Sequence, residues 1–237
     1  MSEFTDLILN EVKTKYEAAV KADKTISKLL EKIKTAKTYA VAYKYAVRLG
    51  DHLAKELKIA FDSISDDEEI YYGSAMQILE PMMRELHNEV ASKAVIVQEN
   101  INANSGMRIK PVKPQIDDFN IRDLARKLSG GAVLSVITEE INHFSQKAVD
   151  NTIYDNAEFD NSLGFEITVT RTYDDVGNHD GAQPCEFCLS REGTKVFKDL
   201  SEAAGDEIFQ RHAGCECTIE YQRSGQTKNV VKNYKRR

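Results

Sequence analysis

Residues 42–64 read AYKYAVRLGDHLAKELKIAFDSI. Within them Ala42, Ala46, Leu49, Leu53, Leu57, Ala60 and Ile64 recur at steps of three and four, which keeps one face of a helix apolar for about six turns. Working outward, the same period appears in Leu79, Met83, Leu86, Val90, Val97 and Ile101, with Gly73-Ser74 as the opening of that helix. Pro81 either kinks it or marks its true start. Toward the N-terminus, Ile8, Val12, Tyr16, Ala19 and Val20, then Ile26, Leu29, Leu30 and Ile33, follow helical spacing as well. The first hundred residues therefore read as helix almost throughout.

The pattern breaks at Asn102–Gly106, and Lys110-Pro111-Val112-Lys113-Pro114 follows. Residues that precede proline avoid the helical region, so this stretch is expected to run extended over another surface. Helices are expected again at about 119–128, ended by Gly130-Gly131, and at about 134–162, closed by Gly164. Phe165, Ile167 and Val169 then alternate with polar residues, as do Cys217, Ile219 and Tyr221. A period of two is that of half-buried strands.

The resulting fold class is mainly α: long N-terminal helices followed by a small C-terminal α+β module with a metal-stapled β-hairpin. The expected organisation is a helical domain at 1–105, an extended Pro-containing linker at 106–115 and a helical segment at 116–164. A metal-stabilised module at 165–221 and a basic tail at 222–237 complete it.

A chain of 237 residues, 41% of them hydrophobic, is long enough to bury a sizeable core. The net charge of −6 argues against a general nucleic-acid coat, because duplex binding rests on phosphate neutralisation. The start of the chain lacks the pattern of a signal peptide, and no apolar run is long enough to span a bilayer. A reducing cytoplasm is thus the expected setting, where clustered cysteines read as metal ligands before disulfides.

All four cysteines fall between positions 185 and 217. Cys185-Glu-Phe-Cys188 lets two thiolates reach one ion from a tight turn. His212-Ala-Gly-Cys215-Glu-Cys217 supplies a second group of donors. Zinc takes four such ligands in a tetrahedron, so five candidates compete for four places. The favoured set is Cys185, Cys188, His212 and one of Cys215 or Cys217; an all-cysteine set with His212 outside it is the alternative. Such a site would be structural Zn2+, its binding energy serving as folding energy.

A catalytic reading competes with it. Pro184-Cys185-Glu-Phe-Cys188 matches half of the zinc deaminase signature, and His87-Asn88-Glu89 offers an H-x-E. That chemistry, on a nucleic-acid base, needs His87, Cys185 and Cys188 on the metal, Glu89 beside it and an open position for water. Here the H-x-E lies far upstream inside a predicted helix, and the His212 cluster would close the open position. Phosphate-binding loops, dinucleotide fingerprints and other catalytic motifs are absent from the sequence. The expectation is a protein without enzymatic activity.

With these residues in place, a family likeness emerges. Cys185-x-x-Cys188, a Gly193-containing segment, and His212-x-x-Cys215-x-Cys217-Thr218-Ile219-x-Tyr221 resemble the end of the minor head proteins of tailed phages, the head-morphogenesis family related to the F protein of phage Mu. Upstream, Val97-Gln98, Lys110–Pro114, Asn142–Gln146, Asp150–Ile153 and Asn156–Phe159 are similar to versions in phages of Gram-positive bacteria. The likeness spans roughly 75–222, with Phe187 where a Trp is common and an insertion at 174–183. It implies a structural minor capsid protein of the virion, working between portal protein, capsid interior and packaged double-stranded DNA after assembly in the host cytoplasm, with no membrane partner. The tail fits that setting: Arg223, Lys228, Lys232, Lys235, Arg236 and Arg237 carry six basic groups and 222–237 no acidic one. Such groups contact phosphates without reading sequence.

Overall fold

The computed structural model describes residues 2–65, 70–130, 136–173, 185–200, 207–212, 215 and 217–224. The N-terminal half consists of four helices, α1 (Ser2–Ala22), α2 (Lys24–Ile33), α3 (Ala40–Ile64) and α4 (Tyr72–Asn104). The apolar stripe of residues 42–64 lies on α3, and Ala42, Ala46, Leu49, Leu53 and Leu57 are all fully buried. Each buried leucine contributes about 1.5–3 kcal/mol of transfer free energy. Helix α3 is central, packing against α1, α2 and α4. Helix α4 begins at Tyr72, so Pro81 lies inside it and leaves one backbone bond unmade.

Between α1 and α2, Asp23 accepts from the backbone N–H groups of Thr25 at 2.7 Å and Ile26 at 3.3 Å, the ordinary work of an N-cap. The same carboxylate meets Arg48 Nε at 2.6 Å and His52 Nε2 at 2.8 Å, which pins this corner onto α3.

The proline segment is non-helical and lies on the body as an edge trim. Asn156 Nδ2 donates to Val112 O, and Val112 N–H donates to Asn156 Oδ1, both at 2.8 Å. Asn102 Nδ2 holds Ile109 O at 2.9 Å. Helix α5 (Asp118–Ser129) follows, capped by Asp117, and then α6 (Val136–Ser162). Both pack on α4, and α6 packs most extensively on α3. One apolar core therefore runs through residues on either side of 106–115, so the segment crosses between helices that share a core.

Helices α3 and α6 meet closely at Gly50, where a Cβ would stand 2.2 Å from Asn142 Oδ1 and 3.1 Å from Ser145 Oγ. The absent side chain lets the two backbones approach. Helix α6 ends at Ser162, and Gly164 just beyond it has a φ of +93°, the left-handed conformation a C-terminal turn requires.

The sheet comprises β1 (Glu166–Tyr173), β2 (Gly193–Phe197) and β3 (Cys217–Ser224), all antiparallel, in the order β2-β1-β3. A short helix α7 (Glu186–Leu189) precedes β2, and a 3-10 turn at Glu207–Phe209 precedes β3. The expected pair β1–β3 is present, with Val169 opposite Tyr221 and Tyr173 opposite Cys217. Strand β2 enlarges the expected hairpin to three strands; only Phe197 of it is buried, so it carries no alternation to read. Ile167, Val169, Ile219 and Tyr221 join the common core, whereas Cys188, Cys215, Cys217 and Tyr173 form a second small cluster at the far end of the sheet.

Candidate metal centre

The first cysteine pair is set by α7. Cys185 is its N-cap residue, Leu189 N–H returns to Cys185 O at 2.9 Å, and Arg191 N–H reaches Cys188 O at 3.2 Å. This single turn presents both sulfurs to one side. Phe187 between them stacks edge-on against His212, with centroids 5.0 Å apart, while the Arg191 guanidinium covers the Phe187 ring at 3.6 Å. The second group is set by the turn that enters β3, where Cys215 N–H donates to His212 O at 3.2 Å.

All five expected ligands come together in two trios that share Cys188. Cys185, Cys188 and His212 place their donor atoms within 4.8 Å of one another, as do Cys188, Cys215 and Cys217. His212 Nε2 lies 3.3 Å from Cys185 Sγ and 3.2 Å from Cys188 Sγ, and the sulfurs of Cys188 and Cys215 are 3.8 Å apart. Two thiolates on a tetrahedral zinc-sized ion stand about 3.8 Å apart, and a thiolate and an imidazole nitrogen about 3.5 Å. The cysteines are free thiols. The cluster could thus hold a metal ion.

Its electrostatics are uneven. Arg171 Nη2 donates to Cys215 Sγ at 3.3 Å and Arg211 Nη1 at 3.4 Å. The Cys217 side chain donating to it, and then these guanidiniums, hold the Cys215 thiol well below its usual range against the cost of burial. That same donation pushes Cys217 upward, and burial with the Cys215 charge pushes Cys188 up to about 11.

Sequence reasoning missed what surrounds these sulfurs. The Arg211 side chain is fully buried and forms a two-pronged pair with Asp150 of α6, Nε to Oδ2 at 2.5 Å and Nη2 to Oδ1 at 2.9 Å. Gln146 Oε1 takes Nη1 at 2.8 Å, and Tyr43 of α3 donates its hydroxyl to Asp150 at 2.5 Å. Four-residue spacing of Asn142, Gln146 and Asp150 on one face of α6 was the available signal.

Other expected residues are placed elsewhere. His87 is buried in α4, with Nε2 3.4 Å from Pro114 O, and Glu89 accepts from Tyr45 at 2.7 Å and from Lys93 at 3.2 Å. Among the described residues neither joins a ligand group with the cysteines. Arg223 is a correction to the phosphate-contact set. Its side chain is only 8% exposed and is committed to Asp160 and Asn102, with Tyr221 Oη at 3.2 Å. Burial of Asp160 requires that partner. Lys228, Lys232, Lys235, Arg236 and Arg237 lie outside the described residues, as does the insertion at 174–183. No described helix is long and apolar enough to cross a membrane.

The class these features define is a mainly helical protein whose small sheet ends in a Cys/His cluster of metal-binding geometry. No family model, curated protein or solved structure matches the chain.

Proposed function

We propose that this chain is a structural protein whose C-terminal module closes around one zinc ion, and that it serves as a minor head protein of a tailed phage. The observation that carries the first part is the unbroken run of contacts Cys185–His212–Cys188–Cys215 at 3.2–3.8 Å. These four are the proposed ligands, with Cys217 beside them as a neighbouring thiol. A thiolate-rich site with one imidazole suits zinc, and four protein ligands leave no place for an activated water. The ion would supply a crosslink between the α7 turn and the start of β3, and no chemistry.

The second part is supported by the motif Cys185-x-x-Cys188 … His212-x-x-Cys215-x-Cys217-Thr218 and its upstream counterparts. On this reading the protein acts between portal protein, capsid interior and packaged DNA, and is carried in the virion. With Arg223 committed to the core, Lys228, Lys232, Lys235, Arg236 and Arg237 are left for phosphate contact.

Two experiments test the parts separately. X-ray absorption at the zinc edge, on protein purified without added metal, should show four sulfur or nitrogen neighbours and no water; a bound water would overturn the closed site. Expression with the cognate portal protein should give a co-purifying complex, and mass spectrometry should find the chain in purified heads. A chain absent from both would overturn the phage assignment while leaving the metal site standing.

A further inference from the structure

Two arginines touch the same sulfur, and among the described residues only one of them pairs with a carboxylate. Arg211 shares Asp150, so its charge is balanced before any metal arrives. Arg171 is fully buried at the inward position of β1, opposite Ile219 of β3 and Gly193 of β2. Its Nη1 donates to two backbone carbonyls, Ile208 O at 3.2 Å and Gln210 O, and its Nη2 donates to Cys215 Sγ. Nε is buried without a hydrogen-bond partner, and among the described residues no acidic side chain pairs with it. A guanidinium in such a place is costly unless a negative charge stands beside it. Carbonyl dipoles help, but they do not cancel a full charge.

We infer that Arg171 is the countercharge of the metal centre, neutralising the negative charge that three or more thiolates leave on a divalent ion. This rests on the metal-site reading above. A centre of Cys185, Cys188, Cys215 and neutral His212 on a divalent metal carries one net negative charge, and Arg171, a buried cation with no carboxylate partner among the described residues, abuts it. Charge balance also explains why a strand otherwise alternating Ile167 and Val169 inward puts an arginine at the next inward position. Arg171 is a positioning residue: it touches a ligand and stabilises the charged form that binds.

The test uses the full chain as wild type, Arg171→Gln and Arg171→Lys, with zinc affinity read by competition against a chromogenic chelator. Cobalt(II) absorption serves as a second reading of tetrahedral thiolate coordination, and far-ultraviolet circular dichroism checks that the helices remain. Gln keeps hydrogen-bond donors without charge, and Lys keeps charge without the fork. The expected result is a loss of about 10–100-fold in affinity for Gln, the usual effect of removing a partner of a metal ligand, with most of it restored by Lys. Gln equal to wild type, or Lys no better than Gln, would overturn the assignment. Should Gln take no metal at all, Lys decides alone: loaded supports the charge requirement and unloaded overturns it. A wild-type chain that binds no metal sinks the metal site itself, which is a different failure.

Discussion

The helical body and the far end of the sheet are held by opposite means. In the body, α1–α6 bury long apolar stripes against one another, and the core is continuous from Ile8 to Tyr221. At the cysteine end, the buried side chains among the described residues are three thiols and two arginines, and little apolar surface of theirs is removed from water. Strand β1 shows both regimes in eight residues: Ile167 and Val169 face the common core, while Arg171 and Tyr173 face the sulfurs. The lesson is that a small module at the rim of a large core cannot rely on area. It relies on directed contacts, which are strong only when complete.

The sharpest way to break this contrast is at Cys188, the residue common to both trios. Cys188→Ser should abolish metal binding, whose apparent free energy in zinc-stabilised modules is about 10 kcal/mol or more. Amide exchange should rise across β1–β3 while the α1–α6 amides stay protected. Protection that is unchanged in the strands would show that the sheet needs only the common core.

Next in size is the joint between the regions. Asp150→Asn removes the carboxylate that the buried Arg211 guanidinium pairs with, at a cost of about 3–5 kcal/mol. Because Asp150 is on α6 and Arg211 precedes the proposed ligand His212, both thermal stability of the helices and metal affinity should fall. Loss of one without the other would mean that the network is not a joint.

How far these features were legible in the sequence follows from the same contrast. Apolar periodicity shows wherever area does the stabilising, so the α3 and α4 stripes, the α6 stripe and the inward residues of β1 could be read directly. The five ligand candidates were legible because Cys and His at close spacing are rare. Arg171, Arg211, Asp150, Gln146 and Tyr43 were not, since a charged residue on a strand or helix reads by default as solvated, and its partner lies far away in sequence. Arg223 misled for that reason: beside a basic tail it looked free, and only the fold reveals Asp160 beneath it.

A smaller effect is expected within the body itself. Gly50→Ala places a methyl against Asn142 and Ser145, where α3 and α6 are closest. Overpacking of this kind costs about 1–3 kcal/mol, and part is relieved if Asn142 rotates away from Asp51. Urea denaturation of the helical signal should move to lower midpoint while metal affinity stays put, the converse of Cys188→Ser.

The smallest expected effect separates the regions by pH. Burial pushes the Asp23 carboxyl up, but His52, Arg48 and the N–H groups of Thr25 and Ile26 together bring it well below the usual carboxylate range. A carboxyl depressed in the folded state adds stability that is fully present above its unfolded pKa of about 4 and is lost as pH falls from there toward the folded value. The helical body should therefore keep this contribution through mild acid and lose it only below about pH 4. In the cysteine module protons compete with metal for the ligands, so mild acid should release the ion and loosen the strands first. Asp23→Asn isolates the charge, because Asn caps a helix about as well as Asp. At neutral pH it should cost roughly 1–2 kcal/mol, discounted for the partial exposure of Arg48. It should also flatten the acid limb of helix stability below pH 4, and leave the pH of metal release where it was. A variant that shifted metal release as well would mean that the two regions share one acid-sensitive transition, and the division between an area-held body and a contact-held module would fail.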